Sequence, residues 1–343
     1  MSLARAIETG DLAELPSRRD EDWRWTDLRG LLRVLPGPTL ADAAAPTTGP
    51  FAAVAAHRIE IANGRGETHY AVAKGRSDVL DLRFLSTGSG SHVARFTIEI
   101  GQGASLRLLE SHEGAAADYV REIDLAITIG QGGALDRVVL MADCDSAISV
   151  VDATVTLGVG ARLSQTVLTD GAKRQRVETR VVNPGGGASV RLDGVYLPAA
   201  KRHADITTIV THTGVGGTTD QLVKGVVRDQ ARGVFQGRIV VRPGADKTDA
   251  RMGHHALILS DRAEVDAKPE LEIYADDVAC AHGNTVGSLD EEALFYAGQR
   301  GIPDGDAVAM LTRAFVGEAI DRIEDAAVRG VCLSWAQGRL ERP

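Results

Sequence analysis

Gly101-Gln102-Gly103-Ala104-Ser105-Leu106 decides the fold of this chain, because its pattern keeps returning. It recurs as Gly130-Gln131-Gly132-Gly133-Ala134-Leu135, as Gly158-Val159-Gly160-Ala161-Arg162-Leu163 and as Gly185-Gly186-Gly187-Ala188-Ser189-Val190. A weaker fifth copy is Gly214-Val215-Gly216-Gly217-Thr218-Thr219. The leading glycines, at 101, 130, 158, 185 and 214, stand 29, 28, 27 and 29 residues apart. A fixed period of roughly 20–50 residues marks stacked units that bury a shared core only by stacking. Each of the first four copies reads strand, turn, strand. At ~3.3 Å per strand residue, one period fits a coil of two or three short strands with their turns. A propeller blade needs ~40–45 residues, and the Leu/Asn spacing of leucine-rich repeats is missing. The repeat therefore predicts a parallel β-solenoid, with glycine where coils approach closely or turn through positive φ.

The text on either side agrees. From about 55 to 275 the sequence is strand-like, as in Phe96-Thr97-Ile98-Glu99-Ile100 and Ala153-Thr154-Val155-Thr156-Leu157. Glycine makes up 38 of 343 residues, above the usual ~7%, and aromatics are only 4%, which predicts an aliphatic interior. Residues 1–50 read as a helical or irregular cap ending in a linker from Pro36 to Pro50, with Trp23 and Trp25 clamping the element onto the body. Residues 51–284 read as the β core, ending with the strand Leu271-Glu272-Ile273-Tyr274. Residues 285–343 read as helical. Ser288-Leu289-Asp290-Glu291 forms a capping box, Gly301 and Pro303 end that helix, and a second starts near Asp304. In the second helix Val308, Leu311, Phe315, Ala319 and Ile323 make one apolar stripe, and helix continues from Asp325 to Trp335. The two flanks are expected to cap the ends of the solenoid against edge pairing.

Net charge is −9, which argues against nucleic acid and anionic membrane as partners. No apolar run reaches the ~18 residues of a membrane span, and the start shows no secretory h-region. Cys144, Cys280 and Cys332 are three and far apart, so a reducing cytoplasm is expected. Cys144 lies between acids and reads as structural; Cys332 reads as core. His254 and His255 are strand neighbours pointing to opposite faces, which makes them poor joint ligands. The chemistry-bearing segment is Cys280-Ala281-His282-Gly283. A thiolate and an imidazole two residues apart suit iron–sulfur chemistry or zinc. On the residues alone this C-x-H is a weak signal, and a buried cysteine with a satisfied histidine is the favoured reading. As ligands they are too few for a complete site, so the others would come from a second chain.

Several stretches resemble one known family. The run from Leu257 through Pro269-Glu270-Leu271-Glu272-Ile273, then Cys280-Ala281-His282-Gly283, Leu294-Phe295-Tyr296 and Arg300-Gly301-Ile302, looks like the SufB/SufD signature. Glu21-Asp22-Trp23-Arg24-Trp25-Thr26 is similar to the family's early E-x-W-x-x-T element. His282-Gly283 resembles the D-type branch, since the B-type typically carries His-Glu. The resemblance implies a right-handed parallel β-helix between small helical terminal parts. It also implies a non-catalytic scaffold subunit of a SufBCD complex that assembles iron–sulfur clusters. Such a subunit pairs with a SufB-like chain through the solenoid ends and docks a SufC-like ATPase on its C-terminal helices. His282, with Cys280 near it, is implied as a ligand of a transient cluster or iron shared with SufB and not held by the chain alone, which is expected to form a homodimer. Where the family often has Gln-x-Asn, this chain has Met252-Gly253-His254-His255, whose roles stay unassigned. The rival from another class is a polysaccharide lyase-like β-helix enzyme, for which the low aromatic content and the missing catalytic set are a poor match.

Overall fold

The computed structural model describes residues 1–40, 48–55, 57–115, 118–183 and 186–341. Its strands are β1 (His57–Ala62), β2 (His69–Val72), β3 (Ser77–Ser86), β4 (Gly90–Ile100), β5 (Ser105–Gly114), β6 (Tyr119–Ile129), β7 (Ala134–Ala142), β8 (Ile148–Leu157) and β9 (Arg162–Thr169). They continue as β10 (Arg174–Asn183), β11 (Ser189–Tyr196), β12 (His203–His212), β13 (Thr218–Val227), β14 (Arg232–Val241), β15 (Asp249–Ile258), β16 (Glu264–Ile273) and β17 (Ala279–Gly287). All odd strands form one nine-stranded sheet and all even strands an eight-stranded sheet, each in chain order and parallel. Each coil therefore gives one strand to each sheet, and the expected parallel solenoid is the observed fold.

The glycine repeat occupies the corner that leads from an even strand to the next odd one. The structure extends it to seven corners, at Gly75, Gly103, Gly132, Gly160, Gly187, Gly216 and Gly244, all with φ between 62° and 83°. The leading glycines serve close approach instead. A Cβ on Gly101, Gly130 or Gly158 would meet backbone of the preceding corner at 2.6, 2.9 or 2.7 Å. Gly185, the leading residue of the fourth copy, lies outside the described residues, as do positions 41–47 of the expected linker. The described beginning of that linker is docked: Pro38 bridges Ser91, and Thr39 donates its N–H to the Ser91 carbonyl at 2.9 Å.

Between the sheets lies one continuous core, aliphatic for most of its length, with Leu80, Ile98, Leu108, Ile127, Val155, Leu163 and Val210 among its members. It is not purely aliphatic. Arg137 donates to Glu110 at 2.8 Å and to Gln165 at 2.7 Å, and Arg121 donates to Asp143 at 2.6 Å, all buried. Strand alternation shows which residues share a face but not which face is inside, so these polar inward positions were invisible in the sequence. They are tolerated because their partners are other buried polar groups.

The flanks do not cap the ends, contrary to expectation. Helix α1 (Leu3–Thr9) packs with Leu28 and Leu32 on Val120, Ile148 and Val150 of the eight-stranded sheet's outer face. At the other terminus come α2 (Glu291–Gln299), α3 (Asp304–Ile320) and α4 (Ala326–Leu340). Val316, Ile320, Val328 and Cys332 pack on Leu109, Val138, Leu140, Leu168 and Val195, the outer face of the nine-stranded sheet. Those outward leucines and valines offer an apolar seat; the small and polar side chains of β17 do not. Three helix details also differ. The N-cap of α2 is Asp290, whose carboxylate accepts from the N–H groups of Glu292 and Ala293, so Ser288 stays outside. The buried face of α3 runs through Thr312, Val316, Ala319 and Ile320; of the expected stripe, Ala319 and Ile323 are buried and Phe315 packs on the same cluster, while Val308 and Leu311 are only half-buried. Helix α4 is a separate helix capped by Asp325. No described helix is long and apolar enough to cross a membrane.

Candidate functional site

Cys280-Ala281-His282-Gly283 lies within a strand, β17, and not between a strand and a helix as the sequence suggested. Its small residues carry little β-propensity, and the parallel ladder from β15 draws them into the sheet. Register aligns Cys280 with Ala250, His282 with Met252, Asn284 with His254 and Val286 with Ala256. Ala250, Met252, His254 and Ala256 are buried and face the solenoid interior. Cys280, His282, Asn284 and Val286 therefore continue the inward file one step beyond the last coil. With no following strand above them among the described residues, they meet solvent: Cys280 is half-buried against the core, and His282 is exposed.

Alternation puts Cys280 and His282 on one face, about 6.6 Å apart along the strand. Burial pushes the Cys280 thiol up, partly offset by the Ala250 N–H. The group is then a neutral thiol near neutral pH, and a metal binding there would have to displace its proton. His282 has no hydrogen-bond or ion-pair partner among the described residues, which leaves both ring nitrogens available. No group of three or more His, Cys, Asp or Glu side chains among the described residues is placed to hold a metal ion. The donor types suit iron or a cluster, but the set is incomplete.

Behind β17 runs a polar relay, buried at Tyr196 and His254, that sequence reading missed. His254 sits between Tyr196, whose hydroxyl is 2.8 Å from Nε2, and Asn284, whose Oδ1 is 2.7 Å from Nδ1. Asn284 Oδ1 only accepts, so Nδ1 carries the proton and Nε2 accepts from the tyrosine. Burial holds the His254 pKa down to about 4, so the ring stays neutral. Phe235 stacks on it with centroids 4.8 Å apart. Room for the Tyr196 ring comes from Gly225 and Gly233, where a Cβ would meet it at 2.0 and 2.4 Å. His255 points to the opposite face and bonds Thr285 at 2.7 Å. The relay thus fixes Asn284, one alternation step from His282. The Met252-Gly253-His254-His255 segment was the only signal for it.

The other candidates fall elsewhere. Cys332 is buried on the inner face of α4, its pKa pushed up to about 12 by burial, and Cys144 is half-buried beside Tyr119. The Glu21–Thr26 element is a strap across the outer face of β10, β12, β14 and β16. Trp23 lies under the Arg176 guanidinium, the Asp22 carbonyl accepts from Arg176 at 2.7 Å, Asp22 pairs with Arg238 at 2.8 Å, and Glu21 pairs with Lys268 at 2.7 Å. A groove of about 790 Å³ runs along the first residues of the odd strands from β1 to β13 and is lined by no residue of β15 or β17. Its carboxylates are all engaged: Asp136 pairs with Arg107, Asp220 with Arg322 and Glu324 with Arg191, and Asp78 accepts from the Tyr70 hydroxyl. A lyase-like reading would need free acids and a base there.

Fold and site together define a parallel β-solenoid whose last strand presents a thiol and an imidazole at an open edge. A family model described as "SUF system FeS cluster assembly, SufBD core domain" matches residues 84–315, and the chain belongs to that family. It is 31% identical over 275 residues to the iron-sulfur cluster assembly protein SufD of Escherichia coli, covering 79% of this chain and 58% of that protein. A SufBD family protein of Synechocystis is 28% identical over 212 residues, covering 62% and 47%. One from Mycobacterium leprae is 26% identical over 355 residues, covering 93% and 89%. The chain spans about half the length of the first two relatives. Within the family it is SufD-like.

Proposed function

We propose that this chain is a non-catalytic scaffold subunit for iron–sulfur cluster assembly, giving His282, with Cys280, to a transient cluster or iron that it shares with a SufB-like subunit. The carrying observation is the inward file of β17, where a thiol and an imidazole stand in register with buried residues yet have no strand above them. A second solenoid set end to end against β16 and β17 would cover them and supply the missing donors. Cluster formation would deprotonate Cys280 and release that proton. Ile273, Tyr274 and Val286, exposed at this end, support a partner there. Exposed Phe295 and Tyr296 on α2 and Met310 on α3 support a separate dock for a SufC-like ATPase in the helical part after residue 285. The three free cysteines fit a reducing cytoplasm.

Native mass measurement after co-expression with SufB-like and SufC-like chains tests this reading. A complex containing all three is expected. Val286→Lys, which puts a charge on the open end, is expected to remove the SufB-like chain and leave the ATPase bound. No complex, or no effect of Val286→Lys, contradicts the arrangement. A homodimer of the isolated chain, also broken by Val286→Lys, is expected from the same surface.

A further inference from the structure

A pocket of about 620 Å³ lies between the N-terminal segment and the start of β10, remote from β17. Five arginines line it, Arg18, Arg19, Arg29, Arg33 and Arg174, with Asp27 as the one carboxylate. In a chain of net charge −9 this is a local reversal of sign. Arg18, Arg19, Arg33 and Arg174 make no ion pair or side-chain hydrogen bond among the described residues. Asp27 accepts from the Gly30 N–H at 2.8 Å. Arg29 is held in place by the carbonyls of Leu15 and Ala13.

Arg174 is the telling residue. It is the first residue of β10 and projects outward beside the N-terminal segment. Its Nε is buried without a hydrogen-bond partner. Burial lowers its pKa, and Arg232 adds to this, while Asp27 and Asp205 oppose it only from longer range. A guanidinium partly withdrawn from water and joined to no carboxylate by a direct hydrogen bond is unfavourable, and an anion brought to it restores what was lost. The planar fork of arginine matches phosphate oxygens in pairs, and a concave space of this size suits a small molecule.

We propose that this pocket binds a small phosphate-bearing anion, with Arg174 as its central contact and Arg18, Arg19, Arg29 and Arg33 around it. The site is independent of the cluster reading, since none of its residues belongs to β15, β16 or β17. Calorimetric titration of the full chain with inorganic pyrophosphate, at ionic strength held constant with chloride, tests it. Saturable binding at one site is expected. Arg174→Met keeps the apolar stem and removes the charge; it is expected to weaken binding at least about tenfold, the size of a lost charged hydrogen bond. The same variant, without anion, is expected to unfold no more easily than the parent. The double variant Arg18→Gln, Arg33→Gln, at exposed positions, is expected to weaken binding as well, and carries the test if Arg174→Met does not fold. Arg251→Gln, on the outer face of β15, is expected to bind as the parent does. Absence of saturable binding, or equal affinity in the parent and the pocket variants, overturns the proposal.

Discussion

Strands β15 and β17 are neighbours in one register, yet they live in different environments. On β15 the inward residues Ala250, Met252, His254 and Ala256 are 0%, 2%, 0% and 2% exposed. On β17 their partners Cys280, His282, Asn284 and Val286 meet solvent. The backbone ladder is the same; what differs is the presence of a further coil. In a solenoid each coil buries the one before it, so an uncovered terminal coil is either blunted or used. Here neither helical flank covers it, and its inward file holds a thiol and an imidazole.

The largest effect expected from this contrast is on stability. Met252→Ala empties a buried site and is expected to cost about 2–5 kcal/mol. His282→Ala, its register partner, changes an exposed side chain and is expected to stay within about 0.5 kcal/mol. Denaturant unfolding of the two variants compares them directly; similar losses would mean the end of the solenoid is closed.

Next in size is the response of the buried coils to pH. Burial lowers His92 to about 3 and His203, His212 and His254 to about 4, from an ordinary value of 6.5. The unfolded chain therefore takes up these protons first as pH falls below about 6.5, and stability is lost down to about pH 4. Each ring contributes up to about 1.4 kcal/mol per pH unit in that window. Burial raises Glu122 to about 8 and Asp193 to about 7, and these act in the opposite direction, with stability lost as pH rises through the same range and beyond. Asp152, raised to about 6, acts with them, so the acid limb reflects the excess of the buried rings over these carboxyls. Removing one ring with His212→Gln is expected to flatten the acid limb, as read from unfolding midpoints between pH 4 and 8; an unchanged limb would mean the buried rings already titrate freely.

The smallest effect separates corner from end. Gly103 has φ of 62°, where a side chain is strained by about 1–2 kcal/mol. A methyl group added at Gly283 would meet open space, and this glycine lies outside the positive-φ set. Gly103→Ala is expected to destabilise by about that amount and Gly283→Ala by essentially none. Equal effects would show that β17 is held as tightly as the corners.

The solenoid was legible because its signal is local and repeated: a glycine that only a left-handed corner requires, returning once per coil. The two corners that the sequence hid, at Gly75 and Gly244, lack the leading glycine that made the others visible. The site was legible only as residue types. Nothing in Cys280-Ala281-His282-Gly283 says that it is a strand, because its pairing energy comes from β15, far back in the sequence. The Tyr196, His254 and Asn284 relay joins three strands in space and leaves no spacing to read. The arginine pocket is likewise assembled from the N-terminal segment and β10. The strap from Glu21 to Thr26 was visible as a motif, but its role as a brace over four strands needed the sheet beneath it.

The central claim is that β17 presents His282, with Cys280, to a cluster completed by a partner. Iron and acid-labile sulfide content of the co-expressed complex carrying His282→Ala tests it most directly. The account predicts a complex that assembles with normal composition and stability but holds much less iron and sulfide than the parent. Full loading of the assembled variant complex would contradict it.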